Sequence, residues 1–473
     1  MPRCGARWAG YTAADVSGSD DGRDQWGERL PRRLGALSAG AVVVGSTIGS
    51  GIFRTPAVIA DRVETIAMFA AVWIAGAVIA LCGALTYAEL SAMMPRTGGI
   101  YVYLREAFGK LTAFLFGWAE LVVLRPAAYG AIAITCAEYG WRLVGADGNL
   151  ELAMGFTRTQ VSAAVLIIVV GAANMRGVRL GAAIQNVSTV LKLAALLGLC
   201  GLGLQFALAS DAAPVVAAPR VLDSPVAAFG LAMVSVMWAY DGWSDVGFVS
   251  GEVRDPQRNL PRAFLFGTLV VAAMYLSANA AYLAVIPLDG MRGSTLIAAD
   301  VAARVIGQGG VAFVAAAVVV STFGTLNGSM MTGPRVFYAM AEDGLFFRAL
   351  AKVDPKHGTP SRAIGLSIVL GVVFVSIRGF AQLADQFIIG IWPFYALGVL
   401  AVFVLRRRDP HRERPYRTWG YPVVPAIFLL STLYLLGAYL VTEPLQFFAS
   451  FAVIGTGIPV YLVWVRRTSA SPS

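Results

Sequence analysis

Three glycines and three hydroxyl-bearing residues lie close together inside an apolar stretch near the N-terminus, where residues 45–51 read Gly-Ser-Thr-Ile-Gly-Ser-Gly. The surrounding stretch, residues 34–60, is long enough to cross a lipid bilayer as a helix. Glycine in a helix interior costs about 1 kcal/mol relative to alanine. We therefore predict that the helix breaks at 47–51 and offers backbone N–H and C=O groups to a ligand, because irregular backbone is tolerated at membrane depth only where it is buried or lines a cavity. The alternative is that Gly45 and Gly49 form a close-packing face between two membrane helices.

A second interruption is predicted in a later apolar stretch, where residues 238–243 read Trp-Ala-Tyr-Asp-Gly-Trp. An Asp-Gly pair in mid-span is a place where a membrane helix unwinds. Interruptions at corresponding positions of two halves are the best sequence pointer to the binding site of a transporter. We place the two interruptions in the first helices of two five-span halves, and this correspondence favours the broken helix over simple packing.

The broken ends predict the chemistry of the ligand. A half-helix that begins near Ser50 and Gly51 presents free N–H groups and the positive end of its dipole, which suit a carboxylate. Half-helices that end near Thr47 and Trp238 present carbonyls and negative dipole ends, which suit an ammonium group. The two kinds of end together match the zwitterion of an α-amino acid, and they leave its side chain undetermined.

Ionisable residues inside apolar stretches are expensive and usually functional. Lys192 lies deep in one stretch, where a lysine costs about 2.5–3.5 kcal/mol, unless it lies nearer the cytoplasmic face than the span limits suggest. Asp241 either faces the site and favours cationic substrates, or caps the outer half-helix. Glu120 and Arg125 are five residues apart, a poor fit to the i,i+4 spacing of helical pairs, so we expect Arg125 to bond a neighbouring helix rather than the substrate.

The elements that position these residues are membrane helices. The chain has 473 residues, of which 57% are hydrophobic and 14% charged, against about 25% charged residues in soluble domains. Apolar runs of roughly 18 residues or more predict an all-α integral membrane protein with twelve transmembrane helices. The predicted spans are 35–61, 66–93, 112–140, 158–174, 183–208, 226–251, 263–287, 310–340, 363–379, 384–405, 422–441 and 446–465.

The net charge of +9 reflects membrane orientation rather than nucleic-acid binding. Most Lys and Arg residues fall in segments that are cytoplasmic if the N-terminus lies inside, which is the positive-inside bias. The basic cluster at 406–417 is the strongest part of this bias, with anionic-lipid binding as the alternative. We expect a multi-pass protein of the cell (inner) membrane with both termini cytoplasmic and a disordered, polar tail at 1–33.

Other functional classes lack the residues they need. His357 and His411 are the only histidines and both fall in predicted cytoplasmic loops, so an enzyme with a membrane-buried Ser–His or metal mechanism is not expected. The four cysteines show no paired spacing, and we predict no disulfide, no metal and no cofactor. A channel would want rings of like residues around a pore, and the sequence offers none.

Several motifs resemble the amino acid–polyamine–organocation superfamily, and most closely its prokaryotic L-type amino-acid transporters. The motifs are GSTIGSGIF at 45–53, GALTYAEL at 83–90, PRTGGIYVYLREAFG at 95–109, WAELVVLRPAAYG at 118–130, EVRDPQRNLPR at 252–262 and the stretch 321–347. The resemblance implies a LeuT-type fold, which is a 5+5 inverted repeat with helices 1 and 6 broken. It divides the chain into the tail (1–33), two five-helix repeats (34–208 and 226–405) and helices 11 and 12 as a scaffold (421–466).

The resemblance also implies roles for particular residues. The substrate-binding residues would be Ser46, Thr47, Ile48, Gly49, Ser50, Gly51, Trp238, Ala239 and Asp241. Lys192 would reach the first break and substitute for the sodium ion of sodium-coupled relatives. Trp238 would gate the site. Apart from the resemblance, Trp392 in the tenth span is a candidate gate or pocket wall, with plain packing as the alternative. Asp241 departs from the animal L-type pattern, in which glycine is usual at this position. The further candidates to face the broken helices, with helix packing as the alternative for each, are Ser321, Thr322, Thr325 and Asn327.

These features predict a secondary-active amino-acid transporter that works by alternating access and exchanges neutral L-amino acids. The alternatives are proton-coupled symport, and antiport of cationic amino acids or polyamines. A Lys192 that keeps its charge suits exchange, and one that releases its proton suits symport. Animal L-type members tether a heavy subunit through a cysteine between the third and fourth spans. The loop at 141–156 has none, so we expect no disulfide-linked heavy subunit and a monomer or homodimer.

Overall fold

The computed structural model describes residues 26–28, 30–152, 155–209, 224–294, 297–377 and 380–469. In these ranges the chain is helical apart from loops and two isolated β-bridges, Leu34–Val253 and Glu151–Thr157. The α-helices are α1 (Ala36–Thr47), α2 (Gly51–Arg62), α3 (Ile66–Met93), α4 (Ile100–Phe108), α5 (Lys110–Ala119), α6 (Arg125–Leu143), α7 (Arg158–Met175), α8 (Val178–Ala209), α9 (Pro225–Tyr240), α10 (Asp245–Phe248), α11 (Pro256–Val285), α12 (Leu288–Met291), α13 (Ile297–Ile306), α14 (Gln308–Thr332), α15 (Pro334–Glu342), α16 (Ser361–Ile377), α17 (Phe380–Arg408), α18 (Val423–Thr442), α19 (Pro444–Gly455) and α20 (Gly457–Ser469). A π-helical turn, Glu120–Leu124, joins α5 to α6, and short 3₁₀ turns occur at Ser250–Glu252 and Arg348–Ala351.

Ten helical segments of the described chain are long and apolar enough to cross a membrane. They are Ala36–Arg62, Ile66–Met93, Lys110–Leu143, Arg158–Met175, Val178–Phe206, Pro256–Val285, Gly309–Glu342, Phe387–Arg408, Val423–Thr442 and Pro444–Trp464. Two shorter apolar helices, Pro225–Tyr240 and Ser361–Ser376, occupy the places of the predicted sixth and ninth spans. The first of these is short because the chain leaves the helix at Asp241.

Local residues mark where several helices begin. The Thr65 side chain accepts a hydrogen bond from the Met68 N–H at the start of α3. Thr157 and Gln160 form a capping box at the start of α7. Ser224 caps α9, where Pro225 is the first helical residue. Each cap satisfies a backbone N–H that the first helical turn leaves without an intrahelical partner.

The two predicted interruptions are present and lie against each other. α1 ends at Thr47 and α2 begins at Gly51, while α9 ends at Tyr240 and the short α10 begins at Asp245. A Cβ atom on Gly51 would lie 2.5 Å from the Ala239 Cα, so only glycine allows this approach of α2 to the end of α9. Gly242 has φ +111°, and a Cβ there would lie 2.8 Å from the Thr47 backbone nitrogen. Glycine is therefore required twice where the two breaks meet.

The residues just before α1 lie against one face of the helices, which we call the inner face. The Arg33 N–H donates to the Glu252 carbonyl (2.8 Å) and the Arg254 N–H donates to the Leu34 carbonyl (2.8 Å). The Gly27 N–H donates to Glu342 Oε2 (2.7 Å). The described end of the predicted tail, residues 26–28 and 30–33, is thus not a free segment, and residues 1–25 lie outside the described residues.

Candidate functional site

Lys192 is the centre of the contacts around the first break. Its ammonium group donates to the carbonyls of Gly45 (2.8 Å) and Ile48 (2.6 Å), which end α1. It also reaches the Ser321 carbonyl (2.9 Å) and Thr325 Oγ1 (3.1 Å) on α14. Lys192 is 1% exposed, and its depth in the membrane stays a prediction. These partners are neutral oxygens, and the negative end of the α1 dipole adds to their attraction for the cation.

The four candidate residues on α14 divide into two pairs. Ser321 Oγ donates to the Ile48 carbonyl (3.0 Å), and Thr325 Oγ1 contacts the same oxygen at 3.1 Å. Thr322 bonds instead to the Val318 carbonyl of its own helix. Asn327 donates to α8, at the Gly181 carbonyl and Gln185 Oε1. Ser321 and Thr325 therefore face the first break, whereas the other two residues serve helix packing.

The carbonyls that end α1 are already bonded by the protein. Gly45 and Ile48 accept from Lys192 as above, and the Thr47 carbonyl accepts from the Tyr275 hydroxyl on α11 (2.8 Å). The sequence interpretation offered the α1 end to a ligand ammonium, and this stays a prediction.

A cavity of about 50 Å³ lies between the two breaks. Its described lining residues are Ser46, Thr47, Gly49, Ser50, Gly51, Arg125, Ala128, Ile132, Trp238, Asp241, Gly242, Asp245, Thr325, Ser329 and Phe387. Most of the predicted substrate-binding residues are in this lining. Ile48 and Ala239 are not: Ile48 is turned to Lys192, and Ala239 packs on Gly51.

The two tryptophans predicted as gates differ in position. Trp238 lines the cavity, and its ring meets the edge of Phe387 with centroids 5.7 Å apart. Trp392 is not in the described lining and stacks on Phe428 of α18, with centroids 5.3 Å apart. Its ring packs on α18 in this structure, and its role as a gate or pocket wall stays a prediction.

The N-terminus of α2 opens onto the cavity. Ser50 and Gly51 line it, and no side chain of the described residues caps this helix end. The first N–H groups of a helix have no intrahelical partner, so α2 presents donors and a positive dipole end at the cavity wall. This arrangement can bind a carboxylate.

Asp241 faces the cavity and is bonded to the tenth predicted span. Its Oδ1 accepts a hydrogen bond from the Tyr395 hydroxyl (2.6 Å), and Tyr395 also bonds the Ser244 hydroxyl (3.1 Å). Asp241 is also the C-cap residue of α9, where its backbone N–H donates to the Trp238 carbonyl (3.4 Å), so both interpretations of this residue stay open. A partly buried carboxylate therefore borders the cavity.

Arg125 bonds in two directions. Its Nε donates to Glu120 Oε2 (2.6 Å), and its Nη2 lies 3.5 Å from Asp245 Oδ1 of α10. The expected bond of Arg125 to another helix is present. Arg125 also pairs with Glu120, although their five-residue spacing fits an α-helix poorly. Residues 120–124 form a π-helical turn, in which partners five residues apart share one face.

Sequence reasoning missed several lining residues, of which Asp245 is the most polar. It pairs with Arg125, and its Oδ2 accepts from the Thr332 hydroxyl (3.2 Å). Asp245 could have been predicted as a lining residue from its position just after the Asp-Gly break. Ser329, Ala128, Ile132 and Phe387 carried no signal, because only packing turns them to the cavity. The described residues contain no cluster of three or more His, Cys, Asp or Glu side chains suited to a metal ion.

Membrane-length helices, with two interruptions that meet at a polar cavity, are typical of a multi-pass membrane transporter. The chain matches the family model "Amino acid permease" over residues 34–464. It belongs to this family, within the amino acid–polyamine–organocation superfamily.

The curated relatives are transporters of similar length. The chain is 32% identical to the "Serine/threonine exchanger SteT" of Bacillus subtilis (strain 168), over 93% of this chain and 98% of the relative. It is 30% identical to the mouse "b(0,+)-type amino acid transporter 1", over 92% and 88% of the two chains. It is 29% identical to the mouse "Large neutral amino acids transporter small subunit 2", over 98% and 87%.

Proposed function

We propose that this permease exchanges neutral L-amino acids across the cell (inner) membrane by alternating access. The observation that carries the proposal is the meeting of the two broken helices at one cavity, with the uncapped start of α2 beside the end of α9. These opposite helix ends suit the two charges of an amino-acid zwitterion. The name of the bacterial relative, an exchanger of serine and threonine, supports exchange of small neutral substrates.

In the proposed binding mode the carboxylate lies at the start of α2. It accepts hydrogen bonds from backbone N–H groups near Ser50 and Gly51. The Ser46 hydroxyl, which also lines the cavity, is a further donor. The ammonium group lies at the end of α9, near the carbonyls of Trp238 and Ala239. The Trp238 ring covers the bound substrate. Ile48 and Gly49 shape the break itself.

Lys192 takes the place of a coupling cation in this proposal. Its four oxygen contacts tie the end of α1 to α14. A permanent ammonium group at that position holds the break together without a sodium ion. Transport then needs a second substrate, rather than an ion gradient, to return the carrier.

The proposed architecture has twelve spans, with the two short apolar helices counted as spans six and nine. Spans one to five and six to ten form the inverted repeats (34–208 and 226–405), and spans eleven and twelve (421–466) a scaffold. The inner face is cytoplasmic, in keeping with the excess of Lys and Arg in its loops.

A second candidate is antiport of cationic amino acids or polyamines. The Asp241 carboxylate at the cavity wall favours it, since a second cationic group on the substrate would find a counter-ion there. Exchange of neutral substrates is preferred because the ammonium group common to all amino acids can use the same carboxylate.

We propose that the chain works alone, as a monomer or homodimer. The name of one relative contains "small subunit", so that protein has a partner subunit. The loop at 141–156 of this chain offers no cysteine for a disulfide link to one. Exchange by the purified chain without any added protein is the expected result, and a requirement for a second subunit would contradict it.

Counterflow in proteoliposomes tests the transport mode. Vesicles loaded with unlabelled L-serine should take up labelled L-serine, and empty vesicles should not. The same experiment with L-arginine in place of L-serine tests antiport of cationic amino acids, which predicts uptake of labelled L-arginine. Accumulation in empty vesicles when a pH gradient is imposed would establish proton symport and exclude pure exchange.

A further inference from the structure

A second and larger cavity lies farther along the same helices. Its volume is about 520 Å³, and its described lining residues are Arg54, Glu138, Tyr139, Arg142, Gly145, Ala146, Asp147, Gly148, Asn149 and Thr159. We call it the outer vestibule, because it lies at the end of α6 remote from the inner face. The substrate cavity is lined by Gly51 of α2 and Ile132 of α6. The vestibule begins three residues later on α2 and six residues later on α6, about 4.5 Å and 9 Å along the helix axes.

An ion pair lines the vestibule on the helices that also line the substrate cavity. The Arg54 guanidinium on α2 donates to the Glu138 carboxylate on α6, and it lies 5.8 Å from the centre of the Tyr139 ring. The two side chains are 20% and 36% exposed. The pair joins α2 to α6 at residues that lie beyond Gly51 and Ile132 of the substrate cavity on the same two helices.

The two helices belong to different packing neighbourhoods. α2 packs mainly on α9, and Arg62 at its end donates to the Leu231 carbonyl and Ser235 hydroxyl of α9 (both 2.7 Å). Arg292, after α12, donates to the carbonyls of Ala60 and Val63 (both 3.0 Å). α6 packs instead on α7, α14, α16 and α17. A movement of α2 with α9 away from α6 would break the Arg54–Glu138 pair.

We propose that the Arg54–Glu138 ion pair is the outer gate of the transporter. Formed, it holds α2 against α6 and closes the path from the vestibule to the substrate cavity. Broken, it lets α2 move outward and leaves one positive and one negative charge facing the vestibule. The inference rests on the proposed transport function, but its test needs no substrate.

The test measures how fast a cysteine in the substrate cavity reacts from outside. Cys4, Cys82, Cys136 and Cys200 are replaced by serine, and Ile132→Cys supplies the reporter. Two membrane-impermeant methanethiosulfonates, one cationic and one anionic, are applied to the outer side of proteoliposomes. Glu138→Gln and Arg54→Gln should each raise the reaction rate of both reagents about fivefold, the effect of losing roughly 1 kcal/mol from a partly exposed pair.

Two further variants keep the test decisive. The exchanged pair, Arg54→Glu with Glu138→Arg, should return both rates to those of the reporter protein. The doubly neutral variant, with Gln at both positions, leaves no charge unpaired and should react as fast as the single variants, so it serves if a single variant fails to fold.

Arg142→Gln is the matched control, since it removes a vestibule charge outside the pair. It should change the reaction rates of the cationic and anionic reagents in opposite directions, because it changes the local electrostatic potential. Unchanged rates in all three neutral variants would overturn the gate. Opposite shifts for the two reagents in those variants would also overturn it, by showing an effect of charge alone. If the neutral variants react faster but the unmodified protein does not exchange amino acids, the proposed function is contradicted and the proposed gate is supported.

Discussion

At the scale of single residues, Lys192 shows how a buried charge can hold an interrupted helix together. Its ammonium group supplies donors to the Gly45 and Ile48 carbonyls, which a broken helix leaves without N–H partners. Without the lysine those carbonyls would be buried and partly unsatisfied, which costs about 1–3 kcal/mol each. Lys192 is therefore part of the site geometry even though it is absent from the cavity lining.

Lys192→Met should lower the exchange rate by roughly tenfold or more, because the end of α1 loses the donors that fix it against α14. Counterflow of labelled L-serine measures the rate, and a thermal unfolding curve reports on the fold. Lys110→Met, on an exposed lysine, is the control and should leave both unchanged. Normal exchange by the Lys192 variant would remove the role given to its ammonium group.

The Asp241 carboxylate allows a test of the preference between neutral and cationic substrates. Asp241→Asn removes the cavity-wall carboxylate but keeps an acceptor for the Tyr395 hydroxyl. Exchange of L-serine should then fall by less than about tenfold, since backbone carbonyls of α9 still face the ammonium group. Uptake of L-arginine, if the protein has it, should be lost. Competition by the two amino acids in the same vesicles measures the change. Equal losses for both would show that Asp241 does not discriminate between them.

At the scale of elements, the two breaks depend on close contact between backbones. α2 meets the end of α9 at Gly51 and Ala239, with no room for a Cβ atom. A substitution at Gly51 therefore acts on the fold of the site before it acts on the ligand.

Gly51→Ala should lower the thermal midpoint and abolish exchange, because its Cβ would collide with backbone atoms of Ala239 that cannot rotate away. Gly40→Ala in α1 is the matched control, with nothing within 4 Å of the added atom. It should be neutral or slightly stabilising, since alanine favours a helix by about 1 kcal/mol. An unaltered thermal midpoint in Gly51→Ala would show that the two helix ends are not held together in the membrane.

At the scale of the whole molecule, a buried ion pair joins two segments at the inner face. Arg335 of α15 binds both oxygens of Glu252 (2.8 and 3.2 Å), just after the second break. Both side chains are at most 1% exposed. The pair joins α15 to the segment that follows α10. If the substrate cavity opens toward the inner face, either the Arg335–Glu252 pair breaks or α15 and the segment after α10 move together.

Glu252→Gln should destabilise the protein by about 3–5 kcal/mol, because it leaves the Arg335 charge buried without its partner. The thermal midpoint in detergent measures the loss. Asp289→Asn breaks the ion pair with Arg292, in which Asp289 is 41% exposed, and should change stability by no more than about 1 kcal/mol. Similar midpoints for the two variants would mean that the Arg335–Glu252 pair is solvated in the membrane.

The sequence by itself determined that the chain consists of apolar helices long enough to cross a membrane, and where two helices break. Both are local properties: apolar length sets the spans, and the glycines at 45–51 with the Asp-Gly pair at 241–242 weaken a helix wherever it packs. It also marked Lys192, because a lysine inside an apolar run needs partners.

Only the tertiary structure decided which groups meet. It gave the α1 carbonyls to Lys192 and Tyr275, turned Asp241 and Asp245 to the cavity, and packed Trp392 on α18. It also aligned Glu120 with Arg125 through a π-helical turn. The physical reason is that side-chain direction depends on how each helix is rotated against its neighbours, and that rotation follows from packing over the whole bundle rather than from any short stretch of sequence.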